Sequence, residues 1–157
     1  MSQTLHHEAA FQSPLAEVFE FITTTSHWPK WHPATHAVTG QTRKPGQLGD
    51  ECTEAMLTAG YFQGHVSWRV VTCVAPVRWA IVSTEIAAPL LSRAWVRLEY
   101  ILKEEGPGTR LFRTFEYELP RHLWLLDRLY FRAKMESESV EALRRLVPLV
   151  DRRQAAA

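Results

Sequence analysis

Three histidines, two tryptophans and two prolines fall within ten residues, HWPKWHPATH at 27–36. His27, His32 and His36 are spaced H-x4-H-x3-H, and three converging imidazoles would make a zinc site. Pro33 interrupts the helix that would set His32 and His36 on one face, and neither Cys52 nor Cys73 lies near in sequence. No metal and no cofactor is therefore expected. Trp28 and Trp31 stand three apart, so one helical turn points both to nearly the same side, each with about 200 Å² to bury. The stretch reads as an aromatic lid and wedge, with the polar tip of His32 turned toward whatever lies beneath.

Other reactive groups sit on segments of period two, where alternate residues share a face. On 109–119 one face carries Leu111, Arg113, Phe115, Tyr117 and Leu119. Arg113 in that apolar row needs a carboxylate, a ligand anion or water, because a buried unpaired guanidinium is very costly. Structural pairing or reach to a cavity mouth is the plainer outcome. On 77–87, Trp79, Ile81, Ser83 and Glu85 share a face. If it points inward, Glu85 becomes a partner for Arg113 and an acid or base with a raised pKa. A slip of one residue in register would put it outside. On 93–103 the apolar row is Ala94, Val96, Leu98, Tyr100 and Leu102, leaving Trp95, Arg97 and Glu99 outward. Trp68 is placed inward by alternation, and Met56 suits a pocket wall because its thioether adapts to varied apolar shapes. Glu116 and Glu118 lie about 7 Å apart, but on the outward face they are expected simply to be solvated. His6 and His7 point to opposite faces and cannot chelate together.

The elements that must hold these groups follow from the rest of the chain. The 157 residues suffice for one domain with a proper core, expected over 1–153 with 154–157 as a frayed tail. Eighteen basic and 17 acidic residues are well mixed, so a nucleic-acid partner is not expected. The N-terminus has no basic and apolar signal-peptide pattern, and no apolar run approaches the ~18 residues of a bilayer span. With only Cys52 and Cys73, a cytoplasmic protein with reduced thiols is expected.

A first strand over 3–12 stops at Ser13-Pro14, a helix-start signal with serine as cap and proline in the first turn. Leu15, Val18, Phe19 and Ile22 form one helical stripe, ended by the threonines at 23–25. Strands are then expected over 36–40, 49–58, 62–75, 77–87, 93–103 and 109–119. The turns between them include Lys44-Pro45-Gly46, Ala59-Gly60, Ala75-Pro76, Ala88-Pro89 and 105–108. Such short connections favour antiparallel meander pairing. After Pro120 the helical period holds to about Val147, with Leu123, Leu126, Tyr130, Ala133, Ser137, Val140, Leu143 and Val147 as its inward stripe. About 26 helical residues would span about 39 Å, enough to cross the sheet. Trp124, Leu125 and Phe131 are left to cover a cavity mouth, meet a second subunit in a homodimer, or touch a membrane surface. A curved sheet around one helix tends to leave a gap between them.

FQSPLAEVFEFITTTSHWPKWHP at 11–33 resembles the N-terminal block of the polyketide cyclase/dehydrase-like branch of the START/Bet v 1-like (SRPBCC) superfamily. The LGD at 48–50, VSWRVVTCVAPVRWAI at 66–81 and TRLFRTFEYELP at 109–120 are similar to that branch as well. The resemblance covers nearly the whole chain. It implies an α+β helix-grip fold: a curved antiparallel sheet of six to seven strands wrapped around a long C-terminal helix, with two short helices after the first strand. It implies too that the tryptophan-bearing turn closes one end of the cavity. Members include lipid and hormone carriers, aromatase/cyclases, oxygenase subunits and co-chaperones, so fold alone does not give function.

Two functions are weighed. The first is binding of a small hydrophobic or amphipathic molecule between sheet and helix. Its wall would comprise Trp28, Trp31, His32, Met56, Trp68 and Trp79, then Leu98, Tyr100, Arg113, Phe115 and Tyr117, and from the helix Leu123, Leu126 and Tyr130. The second is a cyclase or dehydratase using Arg113, Glu85, His32 and Tyr117. A co-chaperone working through the outer sheet face and Trp95 is a third, weaker option.

Overall fold

The period-two segments become seven strands in a computed structural model that describes residues 2–58 and 62–156. The expected turn at Ala59-Gly60 lies outside the described residues. The strands are β1 (Ser2–Phe11), β2 (Thr35–Gly40), β3 (Glu51–Thr58), β4 (Phe62–Val74), β5 (Arg78–Ala87), β6 (Trp95–Glu105) and β7 (Gly108–Glu118). All pair antiparallel in the order β1-β7-β6-β5-β4-β3-β2. The first two strands therefore lie on opposite edges, and the helical connection between them carries the chain across one face.

That connection holds α1 (Leu15–Thr23) and the single turn α2 (Trp28–Trp31). Val18, Phe19, Phe21 and Ile22 bury the inner face of α1. Thr23 and Thr24 end it by turning their hydroxyls onto the carbonyls of Phe19 and Glu20, both at 2.7 Å. Ser13 does not cap α1 as expected. Its hydroxyl donates to Asp151 at 2.7 Å, tying the start of α1 to the far end of the chain, and extended Pro14 takes the cap position.

The C-terminal helix arrives differently from the expected unbroken rod. A 3₁₀ turn (Arg121–Leu123), the short α3 (Trp124–Leu126) and a π-helical turn (Asp127–Phe131) precede α4 (Arg132–Ala155). Helix α4 runs through Pro148 rather than stopping at Val147, and its 24 residues span about 36 Å. A π turn inserts an extra residue, which rotates everything after it by about 100°. The inward face is accordingly Phe131, Met135, Ser139, Ala142, Leu143, Leu146 and Val150. Ala133, Ser137 and Val140, expected inward, are exposed. Phe131, expected outside, is buried.

Helix α4 packs against β1, α1 and α2. The tight core includes Val18, Ile22, Trp79, Ile81, Leu102, Leu111 and Leu146. Among the described residues no helix is long and apolar enough to cross a membrane. Both cysteines are free thiols.

Candidate functional site

The concave side of the sheet alternates as the sequence requires. Leu111, Arg113, Phe115 and Tyr117 of β7 are buried, as are Leu98 and Tyr100 of β6 and Val66 and Trp68 of β4. All of these side chains except Leu111 line a cavity of about 90 Å³ between the sheet and α4. Strands β3 and β4 supply Met56 and Trp68, and α2 with the residue after it supplies Trp28, Trp31 and His32. The π turn and α4 close it with Phe131, Met135, Glu138 and Ser139.

Of the expected wall residues, Trp28, Trp31, His32, Met56, Trp68, Leu98, Tyr100, Arg113, Phe115 and Tyr117 are brought together here. Four are not. Trp79 lies deeper, fully buried, stacked on Tyr100 at 6.2 Å and donating to the Gly46 carbonyl at 2.8 Å. Trp28 packs edge-on against both Trp68 and Trp79, separating the cavity from that deeper core. Leu123 and Leu126 precede the π turn and pack elsewhere in the core, while Tyr130 sits under the Lys134 ammonium.

Glu85 is exposed, not inward. Ser67 pairs with Glu85 but Trp68 pairs with Ser83, so Thr84 is an extra residue in β5. This bulge inverts the alternation beyond it, which turns Glu85 out and brings Ile86 to the cavity. A second bulge at Val71 of β4 lets Trp79, Ala80 and Ile81 be buried in succession.

The carboxyl group deepest in the cavity is that of Glu54, only 3% exposed. It is absent from the residues expected from sequence, although the alternation Cys52–Glu54–Met56 on β3 places it on the face of Met56. Its Oε2 accepts the indole N–H of Trp68 at 2.8 Å, and its Oε1 is in a short hydrogen bond with the Thr35 hydroxyl. The Thr35 oxygen also meets His32 Nδ1 at 3.1 Å. His32, Thr35 and Glu54 thus form one polar chain along a wall that is otherwise apolar.

Burial governs the charge state of this chain. Desolvation raises the Glu54 pKa, against the opposing pull of Thr35, Trp68 and the nearby Arg113 charge. Desolvation also lowers His32 to about 3, helped by the positive charges of Arg113 and Arg145, so the imidazole is neutral. The three histidines of the opening stretch diverge: His27 stacks on Phe21, His32 enters the cavity and His36 is exposed on β2.

Arg113 is 2% exposed and faces the cavity. Its Nη1 donates to Ser139 Oγ at 2.9 Å, and the guanidinium lies 5.2 Å from the Phe115 ring centroid. Its Nε–H has no hydrogen-bond partner among the described residues, nor has the indole N–H of Trp31. The Tyr117 hydroxyl is engaged from behind, donating to Asp127 of the π turn at 2.7 Å. Burial and the Asp127 carboxylate both raise the Tyr117 pKa, so this phenol is a poor acid. Of the expected set Arg113, Glu85, His32 and Tyr117, all but Glu85 line the cavity, and Glu54 lines it as well, joined to His32 through Thr35.

The model for the family described as polyketide cyclase / dehydrase and lipid transport matches residues 2–151. No curated protein matches the chain. Among solved structures it is similar to TTHA0849 from Thermus thermophilus, at 17% identity and a TM-score of 0.76, covering 99% of each chain. It is similar to the Zhui aromatase/cyclase from Streptomyces sp. R1128 at 17% identity and a TM-score of 0.75, covering 98% of this chain and 96% of that one. Ara h 8.0201 is similar at 12% identity and a TM-score of 0.66, covering 96% of this chain and 98% of its own. At such identities the likeness shows a shared fold, the helix grip expected from the order of elements. With its own family model matched almost from end to end, the chain belongs to the polyketide cyclase/dehydrase and lipid transport family.

Proposed function

We propose that the cavity binds a small amphipathic molecule, apolar in body and carrying a carbonyl or carboxylate oxygen at one end. The observation that carries this reading is Arg113: a buried guanidinium facing an apolar cavity, with an N–H donor that has no partner among the described residues. Buried donors are nearly always satisfied, and an oxygen entering here would satisfy this one. The apolar wall from Val66, Leu98, Phe115, Phe131 and Met135 suits the rest of such a molecule.

Size restricts the occupant. A dry cavity of about 150 Å³ accommodates benzene, whereas this one measures about 90 Å³. A guest of one ring or more must displace side chains, and the unbranched Met56 and Met135 of the wall yield most readily. The test is thermal denaturation against a panel of fatty acids, aromatic acids and their neutral esters. A ligand present at about 100 times its Kd stabilises by about 2.7 kcal/mol. Acids should stabilise more than their esters; a flat response to the whole panel overturns the proposal.

A second reading, proton transfer on a carbonyl substrate, is favoured by the chain from His32 to Glu54. When Glu54 is ionised, Thr35 donates to it and accepts from His32 Nδ1–H, leaving Nε2 with a lone pair. When Glu54 is protonated the chain reverses, and Nε2–H becomes a donor. The imidazole can thus remove a proton and return one, with Arg113 beside the developing oxyanion. Enolisation or dehydration of a β-hydroxy ketone would then be lost in Thr35→Val with binding retained. Unchanged turnover in that variant excludes the chain from chemistry.

A further inference from the structure

We propose that the outer face of residues 121–134 docks on an anionic lipid surface. Trp124, Leu125 and Leu129 are 62%, 50% and 73% exposed there, large apolar side chains grouped on α3 and the π turn. Arg121, Arg128 and Arg132 flank them and, with Trp124, border an open groove of about 720 Å³. The segment carries four cations, these three arginines and Lys134, against one carboxylate, in a chain whose net charge is only +1. That carboxylate, Asp127, already accepts the Tyr117 hydroxyl.

Charge decides between occupants. A second copy meeting this face across a two-fold axis would set arginine against arginine. An acidic protein would match the charge but would have to offer an apolar pocket for the three protruding side chains. An anionic bilayer supplies both requirements. Leucine and tryptophan enter the interfacial layer, and the guanidinium groups stay at the level of the phosphates. The inner side of the same segment carries Phe131 of the cavity wall, so the docking face backs onto the cavity. Docking does not depend on what the cavity holds.

The experiment is sedimentation of the purified 157-residue protein with vesicles of phosphatidylcholine alone or mixed with phosphatidylglycerol, at low and high salt. Binding to the mixed vesicles only, weakened by salt, is expected. Arg128→Ala should weaken it about fivefold, the equivalent of ~1 kcal/mol per cation at the surface. Trp124→Ala with Leu129→Ala should weaken it about tenfold or more, since the inserted apolar area is lost. Arg43→Glu, on the exposed loop between β2 and β3, should lose less than either. Three outcomes would overturn the proposal: no binding to phosphatidylglycerol vesicles at low salt; equal loss with Arg43→Glu; or a concentration-dependent dimer that the Trp124 and Leu129 substitutions abolish.

Discussion

Lowering the pH from 7 to 4 is expected to destabilise a Glu54→Gln variant more steeply than the parent protein, and a His32→Asn variant less steeply. The two side chains belong to one hydrogen-bonded chain but titrate with opposite consequences. Folding lowers the His32 pKa to about 3, below an unfolded value of about 6.5. Between these values the unfolded chain binds the extra proton. Stability from this group is complete above about pH 6.5 and falls toward pH 3 by about 1.4 kcal/mol per unit, on the order of 5 kcal/mol in all. Folding raises the Glu54 pKa. Its proton is therefore bound first by the folded protein, and its contribution is complete below the unfolded value and lost as pH rises through the folded one. On acidification Glu54 therefore acts against the loss from His32.

Glu54→Gln removes that offset while keeping an acceptor for the Trp68 N–H. His32→Asn removes the titration that destabilises on acidification. Relative to the parent, Glu54→Gln should gain stability as pH rises from 4 to 7, because folding opposes ionisation of the Glu54 carboxyl and the variant has none to ionise. Arg113 and Arg145 contribute to the His32 shift, and Arg113 and Glu138 to that of Glu54. None of these is altered by either substitution. Urea denaturation followed by circular dichroism at intervals from pH 4 to 7 measures the three slopes. Parallel profiles would show that neither group titrates differently on folding.

How far the site was legible follows from where the chain keeps or breaks its period. Along β7 the alternation is unbroken, and it alone places Arg113, Phe115 and Tyr117 inward. Trp28 and Trp31 need only a single helical turn to converge. Glu54 was equally legible, two residues before Met56 on a regular strand, yet the expected inward carboxylate was Glu85. The position of Glu85 itself was not legible. The Thr84 bulge depends on how β5 pairs with β4, which a single strand's hydrophobic pattern does not report. The same limit applies to the C-terminal helix. Its start and its apolar content were plain, but HLWLLDRLYF is apolar on several sides and fits more than one rotation. Only the π turn, which buries Phe131 and engages Asp127 with Tyr117, selects among them. A helical stripe extrapolated across that turn assigns Ala133, Ser137 and Val140 to the wrong face. Packing between elements, not propensity within them, fixed each of these.

Replacing Arg113 by methionine is expected to weaken binding of an aromatic carboxylic acid by about 2–5 kcal/mol while leaving its neutral methyl ester nearly unaffected. Methionine fills a similar volume with an apolar chain, so the wall stays closed and the ester still finds its apolar surface. The acid instead faces a cavity whose remaining ionisable carboxyls, Glu54 and Glu138, do not attract it, and it must desolvate without a cation to meet it. Ser139 loses the guanidinium that bonds its hydroxyl, at a stability cost of about 1 kcal/mol. Arg113→Lys should recover only part of the affinity. The ammonium restores charge, but it lacks the planar fork that can hold Ser139 and a ligand oxygen at once. Glu85→Gln serves as the matched control: on the outer face of β5 it should change binding and stability by less than about 0.5 kcal/mol. Calorimetric titration of acid and ester into the four proteins reads these differences directly. Equal acid affinity in the parent and Arg113→Met would leave the guanidinium a structural role beside Ser139, and would remove the polar anchor from the proposed binding mode.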